Sequence, residues 1–120
     1  MLSVGVDIVE IERIERAIRR WRERFLGRVY TPAEVAFCRG RVQELAVRFA
    51  AKEAISKALG TGIRGIDWRE MEVLPDSRGK PLIKLDGRAQ KRARELGLAD
   101  FALSLSHSRE FAIAFVVASS

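Results

Sequence analysis

The chain has 120 residues, of which 48% are hydrophobic, and it carries 22 Lys and Arg against 16 Asp and Glu, a net charge of +6. That length fits one domain over residues 1–120, and the apolar share excludes a disordered chain, while the basic balance favours an anionic partner: nucleic acid, a phosphorylated cofactor or an acidic protein. A lone cysteine, Cys38, excludes an intrachain disulfide, and no stretch approaches the ~18 apolar residues of a membrane span.

Leu2 to Ile8 alternates small and β-branched residues and predicts a strand ending near Asp7. Acidic residues follow where a signal peptide needs an apolar core behind basic ones, so a soluble cytoplasmic protein is expected. From Glu10 the period changes. Ile11, Ile14, Ile18, Trp21 and Phe25 fall 3, 4, 3 and 4 apart, one apolar stripe of a helix that Gly27 ends. Arg13, Arg16, Arg20 and Arg24 run beside that stripe, a solvated face with Glu12–Arg16 and Glu15–Arg19 pairs or a basic ridge for an acidic partner. Thr31-Pro32-Ala33-Glu34 predicts a helix start with a capping box, and the short helix runs through Cys38 to Gly40. Cys38 itself reads as a packed structural thiol.

Glu44 to Leu59 is rich in strong helix formers, lacks Gly and Pro, and predicts the longest helix, stopped by Gly60-Thr61-Gly62. The second half predicts strands over 70–74 and 81–85 joined by a turn at Ser77-Arg78-Gly79-Lys80, then a basic helix from Gly87 to Leu96. Two further strands, 102–106 and 111–118, close the chain. In the last of them Phe111, Ile113, Phe115 and Val117 share one face and Ala112, Ala114 and Val116 the other, which predicts a strand covered on both sides. The class is α+β.

Three groups of residues bear on chemistry. Asp7 closes an apolar strand, where a carboxylate is costly unless solvated, paired, capping a helix or bound to a metal; cap and metal ligand both remain open. Glu53 and Lys57 lie four apart and share a helix face, as do Arg48 and Lys52, and the Glu53–Lys57 spacing also suits an ordinary surface ion pair. The Gly60-Thr61-Gly62 turn beyond them offers backbone N–H groups and a hydroxyl to an anion, or is a plain helix stop, and it lacks the GxxxxGK[ST] pattern of a P-loop. Ser104, Ser106 and Ser108 flank the only histidine, His107. No G-x-S-x-G elbow supports a hydrolase triad, so a hydrogen-bonding histidine is expected. Together these groups supply what phosphoryl transfer needs: carboxylates for a divalent metal, a lysine for phosphate charge, and hydroxyl and backbone donors. A basic nucleic-acid-binding module is the rival, but it has no use for Asp7 and Glu53, and no aromatic-rich strand resembles an RNA-binding face.

Gly5-Val6-Asp7-Ile8-Val9-Glu10-Ile11 resembles the opening motif of the holo-(acyl carrier protein) synthases. Arg48-Phe49-Ala50-Ala51-Lys52-Glu53-Ala54, continued by Ser56-Lys57-Ala58-Leu59-Gly60-Thr61-Gly62, resembles their central motif closely. Gly79-Lys80-Pro81 and Ser104-Leu105-Ser106-His107-Ser108 match the two later motifs in order. The resemblance implies a small α+β domain with an antiparallel sheet against a long central helix, assembled as a homotrimer with active sites between subunits. It implies magnesium, with manganese as the alternative metal, held by Asp7 and Glu53. Lys57 then stabilises the leaving phosphate. Gly60, Thr61, Gly62, Ser106, His107 and Ser108 hold coenzyme A phosphates, Arg48 meets the nucleotide end, and Lys80 and Pro81 line the cleft. The implied activity moves the 4′-phosphopantetheine arm of coenzyme A onto a serine of acyl carrier protein, docked on Arg13, Arg16 and Arg20. Neither nucleic acid nor membrane is an expected partner.

Overall fold

A computed structural model describes residues 1–120. The chain starts with a strand, β1 (Leu2–Glu10), followed by helices α1 (Ile11–Trp21), α2 (Glu23–Val29), α3 (Pro32–Cys38) and α4 (Val42–Ala58). A hairpin of β2 (Met71–Pro75) and β3 (Pro81–Leu85), helix α5 (Gly87–Glu95), and strands β4 (Asp100–His107) and β5 (Phe111–Ser119) complete it. β5 lies centrally between β1 and β4, antiparallel to both, while β2 and β3 pair only with each other.

The long helix α4 packs across one face of the three-stranded sheet. Both surfaces are built from small residues: Ala50, Ala51 and Ala54 on the helix, and Ala112, Ala114, Val116 and Ala118 on β5, all fully buried. Small side chains let helix and sheet approach closely, and the approach is tightest at Gly5. A Cβ there would collide with the Ala54 carbonyl of α4, so only glycine lets β1 lie on the helix. Ile55 and Leu59 complete this core without exposed surface, each contributing about 2 kcal/mol of burial.

The structure moves several sequence expectations. β1 does not end near Asp7; it pairs with β5 as far as Glu10↔Phe111, because β5 offers a partner along its whole length. The apolar stripe beyond it is two helices, not one. Arg22 takes a left-handed φ of 44° and breaks the run, leaving Gly27 inside α2 and Trp21 exposed. The capping box at Thr31 and Glu34 forms as expected. The expected strand at residue 70 begins one residue later, because Trp68–Glu70 closes a 3₁₀ turn capped by Asp67.

β5 is covered within the chain on one face only. Phe111, Ile113 and Phe115 stay exposed, beside Val4, Val6 and Ile8 of β1. The alternation was legible, but what covers the second face is not in the chain.

Candidate active site

Gly5 sets the geometry of the site. Two residues further along β1, Asp7 emerges on the α4 side, since its register partner is the buried Ala114. Glu53 and Lys57 project from α4 one turn apart, on the flank facing β1. The Lys57 ammonium donates to Asp7 Oδ1 at 3.2 Å and to the Val6 carbonyl at 3.1 Å. Lys57 therefore pairs across to the strand, and the Glu53–Lys57 pair suggested by their spacing does not close. Asp7 does not cap a helix either: α1 begins at Ile11 behind Glu10, with no side-chain cap.

Burial raises the Glu53 carboxyl above its ordinary pKa, and the negative charge of Asp7 raises it further, against the opposing pull of Lys57 and Arg13. Two carboxylates from separate elements thus lie near enough for the charge of Asp7 to raise the Glu53 pKa. No third His, Cys, Asp or Glu joins them. A pair of carboxylates without sulfur or imidazole fits a hard divalent cation that takes the rest of its shell from phosphate oxygens and water. The residues present fit magnesium. Arg13 connects the basic ridge to the site, being close enough for its charge to favour ionised Glu53.

The remaining predicted residues lie elsewhere. Arg48 is five residues before Glu53 on α4, about 7 Å along the axis and roughly 140° around it. It lines a separate cleft of ≈ 430 Å³ with Phe37, Asp76, Pro81 and Ser104. Lys80 is exposed at the turn of the hairpin that walls this cleft, its N–H held by Asp76 Oδ1 at 3.0 Å. Arg48 and Lys52 do not lie on a surface face of the helix. Arg48 bonds Glu44 and the Val73 carbonyl, Lys52 bonds Glu34, and both are buried.

The Gly60-Thr61-Gly62 turn needs correction on one point. The N–H groups of Thr61 and Gly62 both donate to the Ser56 carbonyl at 3.1 Å, and that of Gly60 to Lys57 O, so they close the helix and do not point at an anion. The cost of an open helix end outweighs the opportunity the glycines offer. On β4, Ser106 opposes Ile113, which opposes Ile8, so Ser106 sits on the outer face of the sheet, away from Asp7. His107 is on the Asp7 side but exposed, near only the Ser108 carbonyl at 3.4 Å. No serine contacts its ring as a hydrolase triad requires. Cys38 is fully buried and burial pushes its thiol pKa up, as an inert packed thiol requires.

The model of the 4′-phosphopantetheinyl transferase superfamily matches residues 3–116. The chain belongs to this superfamily. A holo-[acyl-carrier-protein] synthase of Herpetosiphon aurantiacus is 54% identical over 124 residues, covering 98% of each chain. The structure of the Helicobacter pylori holo-[acyl-carrier-protein] synthase in complex with coenzyme A overlays with a TM-score of 0.89 at 35% identity, covering 97% of this chain and 99% of that one. The Neisseria meningitidis synthase overlays equally well, at 40% identity over 98% of both chains. This phosphopantetheinyl transferase fold is the small α+β architecture the motifs implied. Nothing in these likenesses supports a nucleic-acid-binding module. No helix is long and apolar enough to cross a membrane.

Sequence reasoning did not identify Gly5 as the residue that brings β1 onto α4, although the glycine inside a strand was a signal of close backbone approach. It also missed the burial of Glu34 and Lys52. A capping-box glutamate normally faces solvent, and nothing local shows that this one points inward.

Proposed function

We propose that this chain transfers the 4′-phosphopantetheine group from coenzyme A to a serine of apo-acyl carrier protein, releasing adenosine 3′,5′-bisphosphate. The observation that carries this is the convergence of Asp7, Glu53 and Lys57 in a fold that overlays on a synthase bound to coenzyme A. The serine oxygen forms a bond to the β-phosphorus, and the bond from that phosphorus to the bridging oxygen breaks. Asp7 and Glu53 hold magnesium, which when bound offsets charge on the diphosphate. Lys57 is half-exposed and bound to Asp7 only at its tip, so it can turn to the phosphate that leaves and neutralise or protonate it. A water steered by a carboxylate of the site accepts the serine proton.

Coenzyme A occupies the cleft of Arg48 and Pro81 with its nucleotide end, beside Lys80. The cleft and the carboxylates lie on different flanks of α4, and Ser106 lies on the far side of the sheet from Asp7. An assembly in which the cleft of one copy meets the carboxylates of the next unites them. The exposed apolar face of β1 and β5 supports such a homotrimer, since a contiguous patch of this kind marks an interface. His107 and Ser108, with the Thr61 hydroxyl, then contribute to phosphate binding at the shared edge. Arg13, Arg16 and Arg20 are all exposed and steer the acidic carrier, with Arg13 nearest the reacting groups. Cytosolic localisation follows from the same substrates.

The test is to incubate the protein with coenzyme A, magnesium and apo-carrier and to weigh the carrier by mass spectrometry. A gain of one phosphopantetheine arm is expected. An unmodified carrier contradicts the assignment.

A further inference from the structure

The β2–β3 hairpin belongs to no larger sheet, so the outer edge of β2 needs partners other than a strand. Three charged side chains supply them. The Val73 N–H donates to Glu34 Oε2 at 2.8 Å, the Val73 carbonyl accepts from Arg48 Nε at 2.9 Å, and the Met71 carbonyl accepts from Lys52 Nζ at 2.6 Å. The next residue on that edge, Pro75, has no N–H to satisfy.

Glu34 and Lys52 join one another at 2.8 Å, and neither side chain has any exposed surface. Lys52 uses its third proton on the Trp68 carbonyl at 3.0 Å, and Glu34 takes the Thr31 N–H at 2.9 Å. Every polar atom of the pair is therefore committed, and the pair ties α3, α4 and β2 at one point. Burial lowers the Lys52 pKa, opposed chiefly by Glu34 and then by Glu72, and only Glu34 touches the ammonium.

The three elements joined here wall the Arg48 cleft together with β4. Phe37 comes from α3, Arg48 from α4, and Pro75, Asp76, Gly79 and Pro81 from the hairpin. We infer that Glu34 and Lys52 are positioning residues for the nucleotide end of coenzyme A: they contact no ligand, and they hold the hairpin wall and the Arg48 guanidinium in binding register. This rests on the assignment of the cleft to coenzyme A. The carboxylate site is held separately, by Gly5 against α4, so loosening the hairpin weakens nucleotide binding and leaves the chemical step intact.

The experiment measures adenosine 3′,5′-bisphosphate affinity together with kcat and the KM of each substrate. In Glu34→Gln, the affinity should fall about tenfold and the coenzyme A KM rise alike, the scale of a sub-ångström misplacement. Turnover should stay within about twofold and the carrier KM should not move. If that variant does not fold, Glu34→Leu/Lys52→Met removes both charges together and is read in the same way. A folded variant with unchanged bisphosphate affinity, or with kcat lost and affinity kept, overturns the inference. The wild-type protein supplies a reading independent of any variant: saturating bisphosphate should slow hydrogen exchange of the Val73 amide, because a bound ligand opposes opening of the hairpin. Unchanged exchange in the bound protein also overturns it. Wild-type protein that fails to bind the bisphosphate overturns the cleft assignment itself, a result distinct from normal binding that Glu34→Gln leaves untouched.

Discussion

Helix α4 carries two ionic groups built on opposite principles. On one flank, Lys52 and Arg48 are buried; Lys52 is fully partnered by Glu34 and two carbonyls, and Arg48 bonds Glu44 and Val73 through Nη1 and Nε. On the other, Glu53 and Lys57 are partly exposed, and Glu53 faces Asp7 with its proton affinity raised. In the first group the Lys52 ammonium leaves nothing over for a ligand, while Arg48 still lines the cleft. The second retains oxygen atoms for a ligand. Completeness of pairing, more than charge or motif membership, separates Lys52, which holds the fold, from the groups proposed to meet substrate, although all four residues lie within ten positions of one motif.

The largest expected effect tests the buried group. Lys52→Ala strands the Glu34 carboxylate and two carbonyls and should cost about 3–5 kcal/mol of stability, read by urea denaturation. A loss below about 1 kcal/mol would show that the pair is not what ties the hairpin down. Of similar size, but on the other axis, Glu53→Ala should lower transfer by roughly 10³-fold, about 4 kcal/mol of activation free energy, with unfolding temperature close to wild type. Equal losses of stability from both substitutions would erase the distinction between the two flanks.

Gly5→Ala should fall between these groups. Its Cβ pushes β1 off the Ala54 carbonyl, costing about 1–3 kcal/mol and separating Asp7 from Glu53, so stability and kcat should fall together. Normal turnover in that variant would mean the site does not depend on this close approach.

The smallest effect is the most discriminating. A carboxyl whose pKa is raised by folding stabilises the native state below its unfolded value and loses that contribution as pH rises through the folded value. At neutral pH and without added metal, Glu53 is therefore a net liability, and Glu53→Gln should raise the unfolding temperature by roughly 2 °C, a gain kept small by solvent screening. The gain should vanish near pH 4, where the wild-type carboxyl is protonated as well. Destabilisation at neutral pH would place Glu53 with the fully paired group.

Much of this was legible in the sequence, for reasons that differ by element. The capping box at Thr31, the alanine-rich α4 and the Ser77–Lys80 turn are local signals, and all appear as read. The break at Arg22 was not legible, because an arginine at positive φ leaves no compositional mark and the apolar stripe runs on through it. Motif residues named the carboxylates, yet spacing along α4 gave Lys57 the wrong partner. Helical spacing records only neighbours on one element, and the strand brought against it by Gly5 decided the pairing. Glu34 was legible as a cap and illegible as a buried anchor, since its second oxygen is claimed by Val73, 39 residues away.

The most direct test of the account is calorimetric titration of magnesium into the wild-type protein, Asp7→Asn and Glu53→Gln, each with coenzyme A present. The wild type should bind one magnesium per chain, and each substitution should weaken that binding severely, because neither carboxylate holds the ion alone. Wild-type magnesium affinity in either variant would contradict the shared site.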